Sequence, residues 1–463
     1  METFRNLEPA VWSEKQFGTC ELGDRRRTER LVRYAQQMAE KPDASTPKQT
    51  ETWSDCKAVY RLFARPEVTF EAVTQTHYQN TQTMPPGRYL VISDATEIDF
   101  GYKSPRPGLG QLTGTHRRGF FLHSSLIVDA ETHAVAGLGR QELWARPIGR
   151  KKRVHRVKCR KRATESDVWG RNIDAIIPSQ QGVELIHICD RGADNFDVFA
   201  HLSVKGDSWV IRAAQLTRHL RNAEGENEKL SEIIEAAVLK GTYQLWIKAN
   251  KKQAARCANI EVSSTSATLL RPREGATEFV MDNGIEEIET NIVIVKEVNA
   301  PRGADPIQWV LYTKESVTSF NACYRVIELY EQRPIVEEFH KGLKTSLSIE
   351  QRQYAIADRL EPVIGVASVQ AVRLLQLRDA SRRAPETPAR KVVPAEWIDV
   401  LQSIQRHPRK ITTVRDFTRA LAALGGFLGR KSDGNPGWQT LWHGLESLLI
   451  AIRGAQNAIK NCG

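Results

Sequence analysis

"VELIHICDRGADNFDVFAHL", residues 183–202, is an apolar run that stops at an acid, Asp190, and passes directly into a segment of helical character. Such a run fits a strand buried on both faces of a sheet, and the helix behind it fits a sheet with helices laid against it. Upstream, "RYLVISDATEIDF" (88–100), "GFFLHSSLIVDA" (119–130) and "HAVAGLGRQELWA" (133–145) follow one another over short connections, as an antiparallel meander does. A helix is predicted near "ESDVWGRNIDAII" (165–177), and downstream "SWVIRAA" (208–214) is a further strand. Consecutive strands, a helix, a strand, a helix and a strand make a mixed α/β core.

Residues from about 215 to 310 break this alternation. "TYQLWIKA", "CANIEVSSTSATLL" and "ETNIVIVKEV" predict strands of a separate β-rich insertion, after which "DPIQWVLYT" returns the chain to the core. Both flanks are helical. In "GDRRRTERLVRYAQQMAEK", Asp24 is a candidate N-cap, Leu31, Ala35 and Met38 form an apolar stripe, and Arg26, Arg30 and Arg33 fall on another face. "SDCKAVYRLFARP" predicts a second helix stopped by Pro66. Toward the C-terminus, "EPVIGVASVQAVRLLQLRDA", "VRDFTRALAALGGFLGRK" and "GWQTLWHGLESLLIAIRGAQ" predict apolar helices of the kind that build a core or a subunit contact. The expected division is 1–70 helical, 71–370 an α/β domain with its insertion, and 371–463 helical.

The 463 residues carry 66 Lys and Arg against 55 Asp and Glu, a formal charge of +11, and the excess is clustered in "RKKRVHRVKCRKR" (150–162) and "RRRTERLVR" (25–33). Clustering points to a polyanionic partner, whereas an even spread would serve only solubility; a solvated loop is the alternative for either run. The seven cysteines are widely spaced without a CxxC pair, so neither a disulfide framework nor a zinc site is indicated. No secretory signal or membrane-length apolar start is present at the N-terminus, and a cytoplasmic location is expected.

Three acids stand out by position. Asp94 follows the apolar "YLVI", Asp190 follows "ELIHIC", and Glu337 lies in "YEQRPIVEEFHKGLKT" (330–345). Carboxylates where buried strands run out sit at the sheet edge where α/β sites form, and two Mg²⁺ ions about 3.5–4 Å apart need oxygen ligands from several elements. The bland alternative is that each aspartate only shapes a turn or caps a helix. Asp99 points to the opposite face from Asp94 by strand alternation, Asp194 and Asp197 suit the following helix, and His187 suits a core. In the third segment Tyr330, Arg333, Glu337, Lys341 and Lys344 recur at steps of three, four, four and three, which places them on one helical face. Pro334 interrupts that stripe, because it lacks an N–H and clashes with the preceding turn, so a new helix begins there or the helix kinks.

The spacing Tyr330-x2-Arg333-x3-Glu337-x6-Lys344 resembles the Y-R-E-K signature of cut-and-paste DDE transposases of the insertion-sequence-four family. "LGDRRRTERLV" and "AVYRLFARP" are similar to that family's end-binding domain, "SDATEIDF" and "CDRGADNFDVFAHL" to its two aspartate segments, and "LGGFLGRKSDGNPGWQTLWHGLESL" to its dimerisation region. The resemblance implies an RNase H-like core interrupted by a β-rich insertion, catalytic and metal-binding Asp94, Asp190 and Glu337, and two Mg²⁺ ions per site, with Mn²⁺ as a substitute. It further implies DNA contacts from Tyr330, Arg333, Lys341, Lys344, Trp309, Arg212, Arg26, Arg27 and Arg30, with Trp309 engaging a flipped base at the DNA end. The implied partners are double-stranded DNA, both transposon ends and target, and a second copy of the chain in a paired-end complex, with no membrane. Pro334 stands where a relative carries an aromatic residue, and the run 150–162 is more basic than its counterpart, which suggests additional phosphate contacts. A DNA-binding regulator without catalysis, and an RNase H-like nuclease without strand transfer, are the competing expectations.

Overall fold

The computed structural model describes residues 4–102, 106–114, 116–149, 159–160, 164–247, 254–405, 410–430 and 433–462. Apart from 159–160, the basic run 150–162 lies outside the described residues.

The chain opens with helices α1 (Pro9–Phe17), α2 (Arg25–Glu40), α3 (Trp53–Leu62) and α4 (Phe70–Gln82). Their starts are set by side-chain caps that satisfy otherwise unpaired N–H groups: Asp24 accepts from Arg26, Thr52 from Asp55 and Thr69 from Ala72. The stripe expected on α2 is present, with Leu31, Ala35 and Met38 fully buried. The second predicted helix ends at Leu62, ahead of Pro66.

The α/β part follows as β1 (Gly87–Asp99), β2 (Arg118–Asp129), β3 (Val135–Trp144), α5 (Val168–Ala175), β4 (Val183–Cys189), α6 (Phe196–Lys205) and β5 (Ser208–Arg212). Strands β3, β2 and β1 form the antiparallel meander, and β4 and β5 continue from β1 in parallel, which is the order of an RNase H-like core. Leu90, Val91 and Ile92 are buried on both sides of the sheet, as are Leu185 and Ile186, which is why these runs read as unbroken apolar sequence.

The insertion contributes β6 (Val238–Ile247), β7 (Arg256–Leu270) and β8 (Glu287–Val298) before β9 (Gln308–Thr313). These strands are not a sheet apart. β9 pairs with β5 on one side and β8 on the other, β8 pairs with β7 and β7 with β6, so the core sheet runs on through the inserted segment. Sequence reads a change of periodicity at 215 but not the edge to which the new strands hydrogen-bond, and the returning strand β9 supplies that edge.

Helices α7 (Phe320–Tyr330), α8 (Pro334–Lys341) and α9 (Ala357–Arg383) come next, then α10 (Ala395–Ile404), α11 (Val414–Leu424) and α12 (Trp438–Cys462). α9 is long and apolar enough to cross a membrane by length and composition, but it is a core helix, with 89% of its most apolar window buried inside the protein. Near the end of the chain α11 and α12 meet through glycines. A Cβ on Gly444 would lie 1.8 Å from the Leu421 carbonyl oxygen, and one on Gly425 1.9 Å from that of Thr440. Because backbone rather than a flexible side chain blocks the added carbon, Gly444→Val is expected to force the helices apart and to cost about 1–3 kcal/mol or more, read as a lower urea midpoint.

Candidate active site

β1 does not end at Asp94, contrary to the expectation from "YLVI". It continues to Asp99, but its parallel pairing with β4 stops at Ser93↔Cys189, one residue before both Asp94 and Asp190. The two aspartates therefore stand side by side where β4 runs out and the sheet opens. Asp94 Oδ1 accepts from the Ala95 N–H at 2.7 Å, and Asp190 Oδ1 caps a short 3₁₀ turn by accepting from the Gly192 N–H at 2.8 Å.

Glu337 arrives from α8. The backbone between Tyr330 and Pro334 stays helical in dihedral angle, yet its ladder tightens: Arg333 N–H donates to the Tyr330 carbonyl and Val336 N–H to that of Arg333. Pro334, with no N–H to give, sits at the first position of α8, the position that tolerates it. After Lys341 the chain widens into a π-helical turn, Gly342–Ser346, closed by Leu347 N–H on the Gly342 carbonyl. These two changes of winding break the predicted stripe. Arg333 and Glu337 share a face and form an ion pair, but Tyr330 is buried, Lys341 is exposed on the last turn of α8, and Lys344 is half-buried in the π turn.

Arg333 draws the acids together. Its Nη2 lies 2.9 Å from Asp94 Oδ2 and 3.6 Å from Asp190 Oδ2, while Nη1 pairs with Glu337. Burial pushes the Asp94 carboxyl up to about 6; Arg333 works against that rise, and the neighbouring Asp190 and Glu337 charges add to it. No shift of this size would arise at an aspartate that merely formed a turn in water.

A neutral polar layer supports α8 from below. His340, one turn beyond Glu337, is buried, with Nε2 3.3 Å from Ser124 Oγ on β2, and that oxygen accepts from Gln141 Nε2 on β3 at 2.9 Å. Burial pushes His340 and its neighbour His123 down to about 3, so both imidazoles are uncharged near neutral pH.

Trp309, Tyr330 and Arg212 form a second group at the ends of β9, α7 and β5. The Trp309 and Tyr330 rings meet edge to face at 5.3 Å, and Arg212 Nη2 donates to the Gln308 carbonyl at 3.0 Å. Trp309 is only partly buried at the margin of the core. Burial raises the Tyr330 phenol, and Arg212 beside it opposes the rise. Among the described residues, neither Lys341 nor Lys344 forms an ion pair with the three acids.

The N-terminal arginines divide. Arg26 is 88% exposed and, among the described residues, pairs only with its own helix cap, Asp24. Arg27 donates to the Leu22 carbonyl and pairs with Glu67; Arg30 and Arg33 both hold Asp55 on α3. Sequence reading missed Asp55, although an acid three residues after Thr52 at a helix start was the available signal. Arg26→Ala is accordingly expected to reduce the salt slope of DNA binding by about one without a stability change, whereas Arg30→Ala, which leaves Asp55 half paired, is expected to lower the melting temperature. The other acids resolve structurally. Asp99 pairs with Arg117, Asp194 with Arg218, and Asp197 accepts from Thr277, while His187 is fully buried against Asp207.

Residues 9–68 match the family model described as transposase DNA-binding, and residues 369–462 match that of the transposase Tn5 dimerisation domain. One match covers the helices that carry Arg26 and Asp55, and the other runs from within α9 to the end of α12, with the acid cluster between them. Together these matches support a Tn5-like transposase, with a DNA-binding segment and a dimerisation domain on either side of an α/β core.

Proposed function

We propose that the chain is a DDE transposase of the insertion-sequence-four type that binds terminal inverted repeats, cuts them and transfers the 3′-OH ends into target DNA. The observation that carries this reading is the convergence of Asp94, Asp190 and Glu337, from three separate elements, on one cationic centre. An all-carboxylate donor set suits a hard divalent cation and little else.

Mg²⁺, with Mn²⁺ as a substitute, held as two ions by Asp94, Asp190 and Glu337, would stabilise the attacking and leaving oxygens of an in-line displacement. Asp94, with Asp190 and Glu337 both beside it, would hold the metal from the middle of the set. Arg333 supplies a planar fork for the scissile phosphate, and Lys341 and Lys344 add point charges along the same strand. Trp309, half-open and backed by Tyr330, offers a face on which an unpaired end base can stack, as a hairpin-forming cleavage would require. Arg212 and the N-terminal Arg26, Arg27 and Arg30 would reach phosphates of the end sequence, Arg27 and Arg30 only after giving up their present partners. Pairing of two copies through the C-terminal helices would bring two ends together on the nucleoid.

The test is joining. Purified protein is incubated with Mg²⁺, supercoiled plasmid and duplexes cut from the DNA flanking the reading frame. Joined products that need Mg²⁺ are expected; nicking without joining would leave only a nuclease, and binding without either would leave a regulator.

A further inference from the structure

Among the described residues, no three His, Cys, Asp or Glu side chains close on a common point where an ion could sit. Yet Asp94, Asp190 and Glu337 face the same small space. The Arg333 guanidinium stands between them, only 17% exposed, with its Nε buried and unpartnered. Carboxylates gathered in a partly desolvated place repel one another and are costly unless a cation is there. Arg333 is that cation. A divalent ion that takes the same oxygens competes with it for their lone pairs and repels it, because both are positive.

A displaced guanidinium would find an alternative partner in a DNA phosphate. Arg333 sits at the residue before α8, on a long flexible stem, and its two-pronged donor geometry fits a phosphate as well as it fits a carboxylate. Resting on the reading of the three acids as metal ligands, we propose that Arg333 is the counter-ion of the metal-free site. It holds the acids until DNA arrives, then transfers to a backbone phosphate and vacates their oxygens. Metal and DNA binding are thereby coupled through one side chain, and each strengthens the other to the same extent. An enzyme built this way leaves its cutting centre unloaded until a substrate phosphate is present.

The experiment measures Mn²⁺ binding to the full-length protein by electron paramagnetic resonance, with and without a blunt duplex taken from the flanking DNA. In the wild type the duplex should tighten Mn²⁺ binding by roughly 5- to 150-fold. Arg333→Gln, its fold checked by circular dichroism, should bind Mn²⁺ more tightly than wild type without DNA, and the duplex should add little. Wild-type affinity or weaker in that variant, or undiminished tightening by DNA, overturns the proposal. Should Arg333→Gln not fold, Arg333→Lys serves, since it keeps the charge but loses the fork: partial loss of coupling is expected, and full coupling counts against the idea. Asp94→Asn separates the metal site from the exchange at Arg333. If it leaves Mn²⁺ binding intact, the metal-site reading fails; if it abolishes binding while Arg333→Gln leaves the coupling unchanged, only the exchange fails.

Discussion

Asp94→Asn is expected to lower Mg²⁺-dependent cleavage by at least about 10³-fold while leaving metal-free DNA binding intact, since a well-placed metal is worth several kcal/mol to a displacement at phosphorus. The amide matches the carboxylate in size, so a loss caused by unfolding is not expected, and equal DNA affinity in a gel-shift assay without divalent metal would confirm this. Cleavage retained within tenfold of wild type would remove Asp94 from the catalytic centre. The same variant carries a pH signature. Burial holds the Asp94 carboxyl near 6 in the metal-free fold, against an ordinary value of 3.8. A raised value means that the folded state favours the protonated acid, so the contribution is fully present below about pH 4 and is lost as the pH rises through about 6. The difference corresponds to up to about 3 kcal/mol. Metal-free wild type should therefore lose stability between pH 4 and 7 in urea titrations, and Asp94→Asn should lose less.

What sequence reveals of this protein follows the range of the forces involved. The strands before Asp94 and Asp190 are legible because burial on both faces leaves an unbroken apolar run, and the helices because their caps are local. The acids were found by where those runs end, although β1 in fact continues to Asp99 and it is its neighbour that stops. Pairing partners are not written locally, so the inserted strands read as a unit apart when they extend the main sheet. The stripe through Tyr330 and Lys344 failed for a related reason. Helical spacing assumes a constant 3.6 residues per turn, and neither the tightened turn before Pro334 nor the π turn at Gly342 keeps it. Arginines were the least legible. A cluster such as Arg25, Arg26 and Arg27 looks uniformly ready for phosphate, but Arg27 and Arg30 are engaged with acids distant in sequence, and only the fold distinguishes them from Arg26.

Arg352→Ala is expected to cost more stability than Gly444→Val or Arg30→Ala. The side chain is 3% exposed and lies just past the π turn that follows α8. Its guanidinium donates to the Ala44 carbonyl at 2.5 Å, the Pro42 carbonyl at 3.0 Å, Gln49 Oε1 at 3.1 Å and the Leu347 carbonyl at 3.1 Å. The first three acceptors belong to the loop that joins α2 to α3 in the DNA-binding segment, and the fourth to the end of the π turn. Tyr354 reinforces the join, with its hydroxyl 3.0 Å from Thr46 Oγ1 and its ring 5.1 Å from that of Tyr60. Alanine would leave several buried oxygens without a donor and a cavity where the guanidinium lay, a combination that costs about 3–5 kcal/mol. At the entropy of a chain this large, that is a fall of roughly 3–5 °C in the melting temperature. Arg352→Lys keeps the charge but reaches fewer acceptors and should fall between. Since the contact joins the segment that matches a transposase DNA-binding model to the helix that carries Glu337, loosening it should uncouple them: DNA binding by Arg352→Lys should stay within a few-fold of wild type, while cleavage of the bound DNA should fall further. Equal losses in both, or none in either, would mean that Arg352 holds the fold together without setting the DNA-binding segment against the site.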